Sequence, residues 1–290
     1  MGSIALLTDS TIQFTLPSFF GRSLVKVIQL TVQQRGVVAE TGRISKPGEL
    51  PIFVAEENQV QLLPPSVERL RDLFSQDDNG RSYDQVLGIF SSSAMCGMVE
   101  QAIETQKLVN GRINLVVVDS LTTSVGLGIL VQAAAEAVAR GTSLADTERL
   151  VRSLLPHIYA VICAPSLSYL HSSGFLDRAQ AGVGEMLGLY PIFAVEEGRL
   201  TPLEKVRNHR QVLDFFQEFL EEFDQLQYIA FLQSAVGGNS QDGRILRDHA
   251  QDHFSRTPFS EHTINLPVAA LFGPSATGMF VVEPTNRKSI

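Results

Sequence analysis

Short runs of apolar and β-branched residues alternate with amphipathic stretches through the first half of the chain. Residues 4–7, 25–32, 85–90 and 115–118 carry a strand pattern, whereas 66–74, 97–108 and 125–140 repeat their apolar positions at helical spacing. Strands alternating with helices predict a parallel sheet covered by helices. Gly141 follows the third helix in the position that favours a left-handed cap, and Ser143 with Asp146 three residues later starts another helix at once. Leu150, Val151, Leu154, Leu155 and Ile158 then keep one apolar face.

Pro156 interrupts that face and 159–163 begin a new strand, which predicts an amino-terminal parallel α/β domain over 1–158 and a carboxyl-terminal α/β domain over 159–290. In the second half, 191–195 and 200–206 flank Glu197-Gly198, a hairpin signal, and 228–232, 262–266 and 279–282 read as further strands. A mixed or antiparallel sheet with helices follows. The stripe Val212, Leu213, Phe215, Phe216, Phe219, Leu220, Phe223 and Leu226 opposes Glu218, Glu221 and Glu222, and core packing is the simpler reading than a ligand wall.

Composition narrows the function classes. Hydrophobic residues make up 44% of 290 and charged residues 19%, a globular balance that supports a sizeable core and argues against disorder. The net charge of −8, without a long Lys or Arg run, disfavours nucleic acid as a partner. Cys96 and Cys163 are too few for a disulfide framework and fit a reducing compartment, so a cytoplasmic location is expected. Residues 1–7 lack the basic flank of a signal peptide, and the apolar run 129–139 is too short, and too interrupted by Gln132 and Glu136, to span a membrane.

Candidate chemistry gathers where strands should end. Thr8, Asp9 and Ser10 follow the first strand, and Asp119, Ser120, Thr122 and Thr123 follow another, in the crevice where open parallel sheets bind ligands. The same residues serve equally as helix caps and loop ties. Gly126 and Gly128 permit close approach, but the third glycine and downstream acid of a dinucleotide fingerprint are absent, so no cofactor is expected. Ser91-Ser92-Ser93-Ala94-Met95-Cys96-Gly97 leads from a strand into a helix, whose free amides suit an anion or a thiolate. Cys96 is therefore either a nucleophile or a buried small apolar residue, and no adjacent activator is visible. His249 and His253, four apart beside Asp248 and Asp252, have metal-ligand spacing, yet a solvated helix face is preferred and no metal is expected. Lys205, Arg207, His209 and Arg210 form a basic cluster that suits a docking edge or a solvated helix start.

In order and spacing the chain resembles the DegV family, bacterial fatty-acid-binding proteins that present an acyl chain to a fatty-acid kinase. The markers are Thr8-Asp9-Ser10-Thr11, Pro65-Ser66, the 92–102 segment, Val118-Asp119-Ser120, Gly126-Leu127-Gly128, Tyr169-Leu170 through Gly174, Tyr190-Pro191-Ile192, Lys205-Val206-Arg207 and Gly273-Pro274. The resemblance implies two α/β domains, a buried acyl tail, and catalysis left to the partner kinase. It also implies a head-group clamp that this chain alters. Leu62-Leu63 stands where a Thr-Ser pair is usual, Cys96-Gly97-Met98 where Ser-Gly-Thr is usual, Phe175 where an Arg follows Gly174, and Leu271 where a His precedes the Gly-Pro turn.

The expected ligand contacts are accordingly Ser10, Leu62, Leu63, Ser93, Cys96, Gly97, Met98, Ser120, Phe175 and Leu271, with Lys205 and Arg207 as the docking edge for a kinase subunit. An ionised head without polar partners costs several kcal/mol or stays protonated, so the altered clamp points to a neutral lipid or to an acid tilted toward the amides near Gly97. Three readings follow: a non-catalytic carrier of a fatty acid or neutral lipid, a hydrolase or transferase using Cys96, and a non-binding regulatory paralogue.

Overall fold

The computed structural model describes residues 4–34, 46–76, 80, 82–236 and 241–285. Residues 1–3, part of the 1–7 segment weighed above as a signal peptide, lie outside them. The chain divides into two compact units, Met1–Thr31 with Leu63–Pro156, and Val32–Leu62 with His157–Ile290. Its first half runs β1 (Ile4–Asp9), β2 (Val25–Ile28), β3 (Thr31–Gln34), β4 (Val60–Leu63), α1 (Val67–Ser75), β5 (Gln85–Phe90), α2 (Met98–Val109), β6 (Asn114–Asp119), α3 (Ser124–Ala139) and α4 (Leu144–Leu154).

The first unit is built on a four-stranded parallel sheet in the order β2-β1-β5-β6. Val86, Leu87, Ile89 and Phe90 of β5 are all buried, the continuous apolar run of a strand covered on both faces. Two helix pairs supply the cover: α2 lies on β5 and β6 with α1 against it, and α3 and α4 pack on β1, β5 and β6. Caps begin the helices where sequence placed them, with Ser66 Oγ accepting from Arg69 N and Ser143 Oγ from Asp146 N. The expected strand over 25–32 is broken. β2 ends at Ile28, Leu30 N donates to Ser10 Oγ at 3.0 Å, and β3 pairs with β4 in a separate two-stranded sheet.

The second half runs β7 (Ile158–Cys163), α5 (Leu167–Ser172), α6 (Arg178–Met186), β8 (Tyr190–Glu196), β9 (Arg199–Val206), α7 (His209–Glu221), β10 (Tyr228–Gln233), α8 (Asp242–His253), β11 (Phe259–Thr263), α9 (Leu266–Phe272) and β12 (Thr277–Val282). Its six-stranded sheet is mixed, in the order β11-β10-β12-β7-β8-β9, with β10 and β11 parallel and the other pairs antiparallel. The β8–β9 turn is the hairpin expected, because Glu197 and Gly198 both take positive φ, 47° and 79°.

The apolar stripe of α7 is core, as read from its spacing: Val212, Leu213, Phe216, Phe219 and Leu220 pack with Val161, Phe231, Met279 and Val281 of the sheet and Leu246 and Ala250 of α8. The strand expected over 262–266 ends at Thr263. Asn265 Oδ1 accepts from Val268 N at 3.0 Å and Pro267 occupies the first turn, so α9 starts where the sequence reading continued the strand. Helix α5 ties the Val32–Leu62 segment into this unit: Tyr169 Oη donates to Pro51 O, Ser172 Oγ to Val60 O, and Val54 N to Ser168 Oγ. Among the described residues, no helix is long and apolar enough to cross a membrane.

Candidate functional site

In the first unit, the crevice beyond the carboxyl ends of β1 and β5 is where the strand order reverses. Asp9 closes it. Its Oδ1 accepts from Thr11 N and Oγ1 at 3.0 and 2.6 Å, and its Oδ2 accepts from Ser91 N and Oγ at 2.6 and 2.8 Å. With those bonds made and the residue fully buried, the carboxylate joins two loops instead of facing a substrate. Asp119 acts similarly, accepting from Ser93 N and Leu121 N, while Ser120 Oγ donates to Thr122 O. Asp9 and Asp119 thus tie loops together, whereas the hydroxyls of Thr8, Thr122 and Thr123 are buried without a hydrogen-bond partner.

Cys96 lies 3.0 Å from Ser91 Oγ and is 7% exposed. Burial, then the charge of Asp9, pushes its thiol up to about 12. A nucleophile needs the opposite shift, toward thiolate at neutral pH. Gly97 is exposed and comes beside Pro64, its added Cβ falling 3.7 Å from Pro64 Cγ, so the loop before α2 meets the turn after Leu63. Ser93 is half-buried, Met98 is buried, and Leu63 is exposed. Gly126 and Gly128 are packing positions, since a Cβ on Gly128 would fall 2.0 Å from Gln13 O and one on Gly126 2.4 Å from Thr122 Oγ1.

In the second unit, Phe175 is half-buried and stacks on Phe272 at 6.2 Å between ring centroids, next to the buried Leu271. Leu62 is half-buried in β4, and Lys205 and Arg207 are exposed on or just beyond β9, an edge strand. This unit also holds a cavity of about 570 Å³ that sequence reasoning missed. Ile52, Phe53, Leu189, Tyr190, Phe231 and Val236 give it an apolar wall, with Cys163 and Thr277 on its sheet face. None of the ten expected ligand contacts lines it.

Part of the cavity lining is polar. His209, which sequence grouped with the basic edge, belongs here, with Nε2 2.6 Å from Asp242 Oδ2. Asp242 opens α8, its side chain is 4% exposed, and its Oδ1 is buried without a hydrogen-bond partner. A buried carboxylate oxygen left unmatched costs free energy and is satisfied by a ligand that donates a hydrogen bond. No local signal marks this pair, because 33 residues separate its members.

Comparison with known proteins extends this picture. The family model described as "Uncharacterised protein, DegV family" matches residues 3–284. A DegV domain-containing protein of Caldanaerobacter subterraneus subsp. tengcongensis is 25% identical over 98% of this chain and 100% of its own length. A solved structure from Thermus thermophilus, described as fatty acid binding of a DegV family protein, superposes with a TM-score of 0.77 at 23% identity over 97% of this chain and 100% of that one. The Streptococcus pneumoniae Fatty Acid Kinase B3 protein, solved loaded with linoleic acid, gives 0.77 at 13% identity over 97% and 99%. The two structural likenesses establish the shared fold.

Proposed function

The chain belongs to the DegV family, and from that membership we propose that it is a non-catalytic carrier that binds the acyl chain of a fatty acid or neutral lipid. The observation that carries the reading is the largely apolar cavity of about 570 Å³ in the second unit. Small-molecule sites typically occupy roughly 300–1,000 Å³. Burial contributes roughly 0.8 kcal/mol per methylene, so a tail of about twelve gains on the order of 10 kcal/mol before ordering costs. The fatty acids of the Thermus thermophilus and Streptococcus pneumoniae proteins agree with such a ligand.

The head group is the specific part. Leu62, Leu63, Phe175 and Leu271 offer no charge to a carboxylate, and Asp242 in the cavity repels one. A neutral head that donates a hydrogen bond, or a protonated acid, avoids both costs. Ile52, Phe53, Leu189, Tyr190, Phe231 and Val236 are the proposed acyl contacts in the cavity. The contacts expected from the sequence, Ser10, Leu63, Ser93, Cys96, Gly97, Met98 and Ser120 in the first unit and Leu62, Phe175 and Leu271 in the second, stay proposals apart from the cavity. Lys205 and Arg207 are the proposed docking edge for a fatty-acid kinase subunit. Two buried free thiols suit the reducing cytoplasm.

The test is displacement of a fluorescent acyl probe. A monoacylglycerol should compete at least tenfold better than the ionised fatty acid of the same length at pH 8, and Thr277→Phe, which places a ring in the cavity, should weaken the probe at least tenfold. Equal binding by Thr277→Phe and the wild type would remove the cavity from the account, and tighter binding of the ionised acid would remove the neutral head.

A further inference from the structure

We propose that Glu221, His249 and His253 form a binding site for one borderline divalent cation, Zn²⁺ above all, where the carboxyl ends of α7 and α8 meet. One ligand atom from each of the three lies within 4.8 Å of the others. The histidines are one turn apart on α8, their rings 4.4 Å between centroids, and Glu221 is the last residue of α7. His249 Nε2 stands 3.3 Å from Glu221 Oε1 and His253 Nε2 3.9 Å from the same oxygen. Ligands of a tetrahedral zinc at 2.0–2.1 Å are about 3.4 Å apart, so the metal needs only a small adjustment of His253.

The hydrogen-bond geometry of the two rings suits a cation. His253 Nδ1 lies 3.0 Å from the His249 carbonyl oxygen, which only accepts, so the ring donates from Nδ1 and keeps the Nε2 lone pair for a ligand. This carbonyl–imidazole bond is the arrangement that orients metal-bound histidines. His249 Nε2 is buried and makes no hydrogen bond, even though the Glu221 carboxylate is within ion-pair distance. A buried ring nitrogen without a hydrogen bond, a second imidazole and a carboxylate oxygen thus converge on one point. Both helices end at the cluster, and helix carboxyl ends attract positive charge.

Two imidazole nitrogens and one carboxylate oxygen select a borderline first-row ion over Mg²⁺ or Ca²⁺. His249 is 15% exposed, His253 47% and Glu221 51%, so the ion enters from solvent and keeps water in its remaining position. The third ligand lies 28 residues from His249 on another helix, beyond the reach of the spacing that suggested a bare helix face.

The experiment is calorimetric titration of the chelator-stripped, tag-free full chain with ZnCl₂ at pH 7.5, repeated with Co²⁺ to record the visible absorption of a bound ion. One equivalent should bind. His253→Gln, His249→Gln and Glu221→Gln should each weaken it at least tenfold, while His262→Gln leaves it unchanged. Circular dichroism confirms that each variant is folded, and Glu221→Ala, which also removes the carboxylate, serves if Glu221→Gln is not. Absence of a bound equivalent in the wild type, or equal affinity in the wild type and the folded cluster variants, would overturn the site.

Discussion

The two cysteines carry the clearest consequence of burial at the scale of a single side chain. Their thiols ionise near 9.0 when unperturbed, and burial pushes each to about 12 in the fold. Between those values the unfolded chain gives up protons that the folded chain still holds, so raising the pH favours unfolding. We expect the urea midpoint to fall from pH 8.5 to pH 10.5, and the fall to be shallower in the double variant Cys96→Ala, Cys163→Ala. Identical pH dependence in the two proteins would contradict the buried thiols. The residue scale is also where sequence was least complete. Cys96 and Asp9 were visible as candidates with two meanings, but choosing between them needed Ser91, whose hydroxyl touches both and which lies 82 residues from Asp9. Asp242 gave no signal, because an acidic residue in the first turn of a helix normally faces water.

Elements were more legible, since periodicity reports how a segment meets its neighbours. The α7 stripe, the parallel strands and the Glu197-Gly198 hairpin all follow from local pattern. The errors arose where two local signals competed: in 262–266 strand alternation overshadowed Asn265 and Pro267, which cap and start α9. Gly128 and Gly182 separate propensity from packing within helices. Alanine is favoured over glycine in a helix interior by about 1 kcal/mol. In α6, a Cβ on Gly182 meets nothing within 4 Å, so Gly182→Ala should stabilise by roughly 0.5–1 kcal/mol. In α3, the Cβ of Gly128→Ala collides with the Gln13 carbonyl, and that variant should destabilise by about 1–3 kcal/mol, as overpacking does. Urea unfolding of both checks the opposite signs, and two stabilised variants would show that α3 does not lie against residue 13.

At the scale of the whole molecule, the division of the chain depends on contacts that no local pattern encodes. Val32–Leu62 belongs with the second unit, held by the hydrogen bonds that Tyr169 and Ser172 donate to Pro51 and Val60 and that Val54 N donates to Ser168. Tyr169 thereby acquires a structural reason to stand among the family markers. Tyr169→Phe keeps the ring and removes the bond to Pro51, which should cost about 1 kcal/mol and speed hydrogen exchange around residues 50–54. Unchanged exchange there would mean that the bond does not hold the segment. The same segment supplies Ile52 and Phe53 to the cavity wall, so the unit that folds around β7–β12 also completes its own cavity.

That chamber is the centre of the account, and the direct measurement is organic extraction of the purified chain followed by mass spectrometry. The account predicts an acyl lipid close to one equivalent, with a neutral head group enriched over free fatty acid. Protein that yields no lipid, and takes up none when offered acylglycerols and fatty acids, would contradict it.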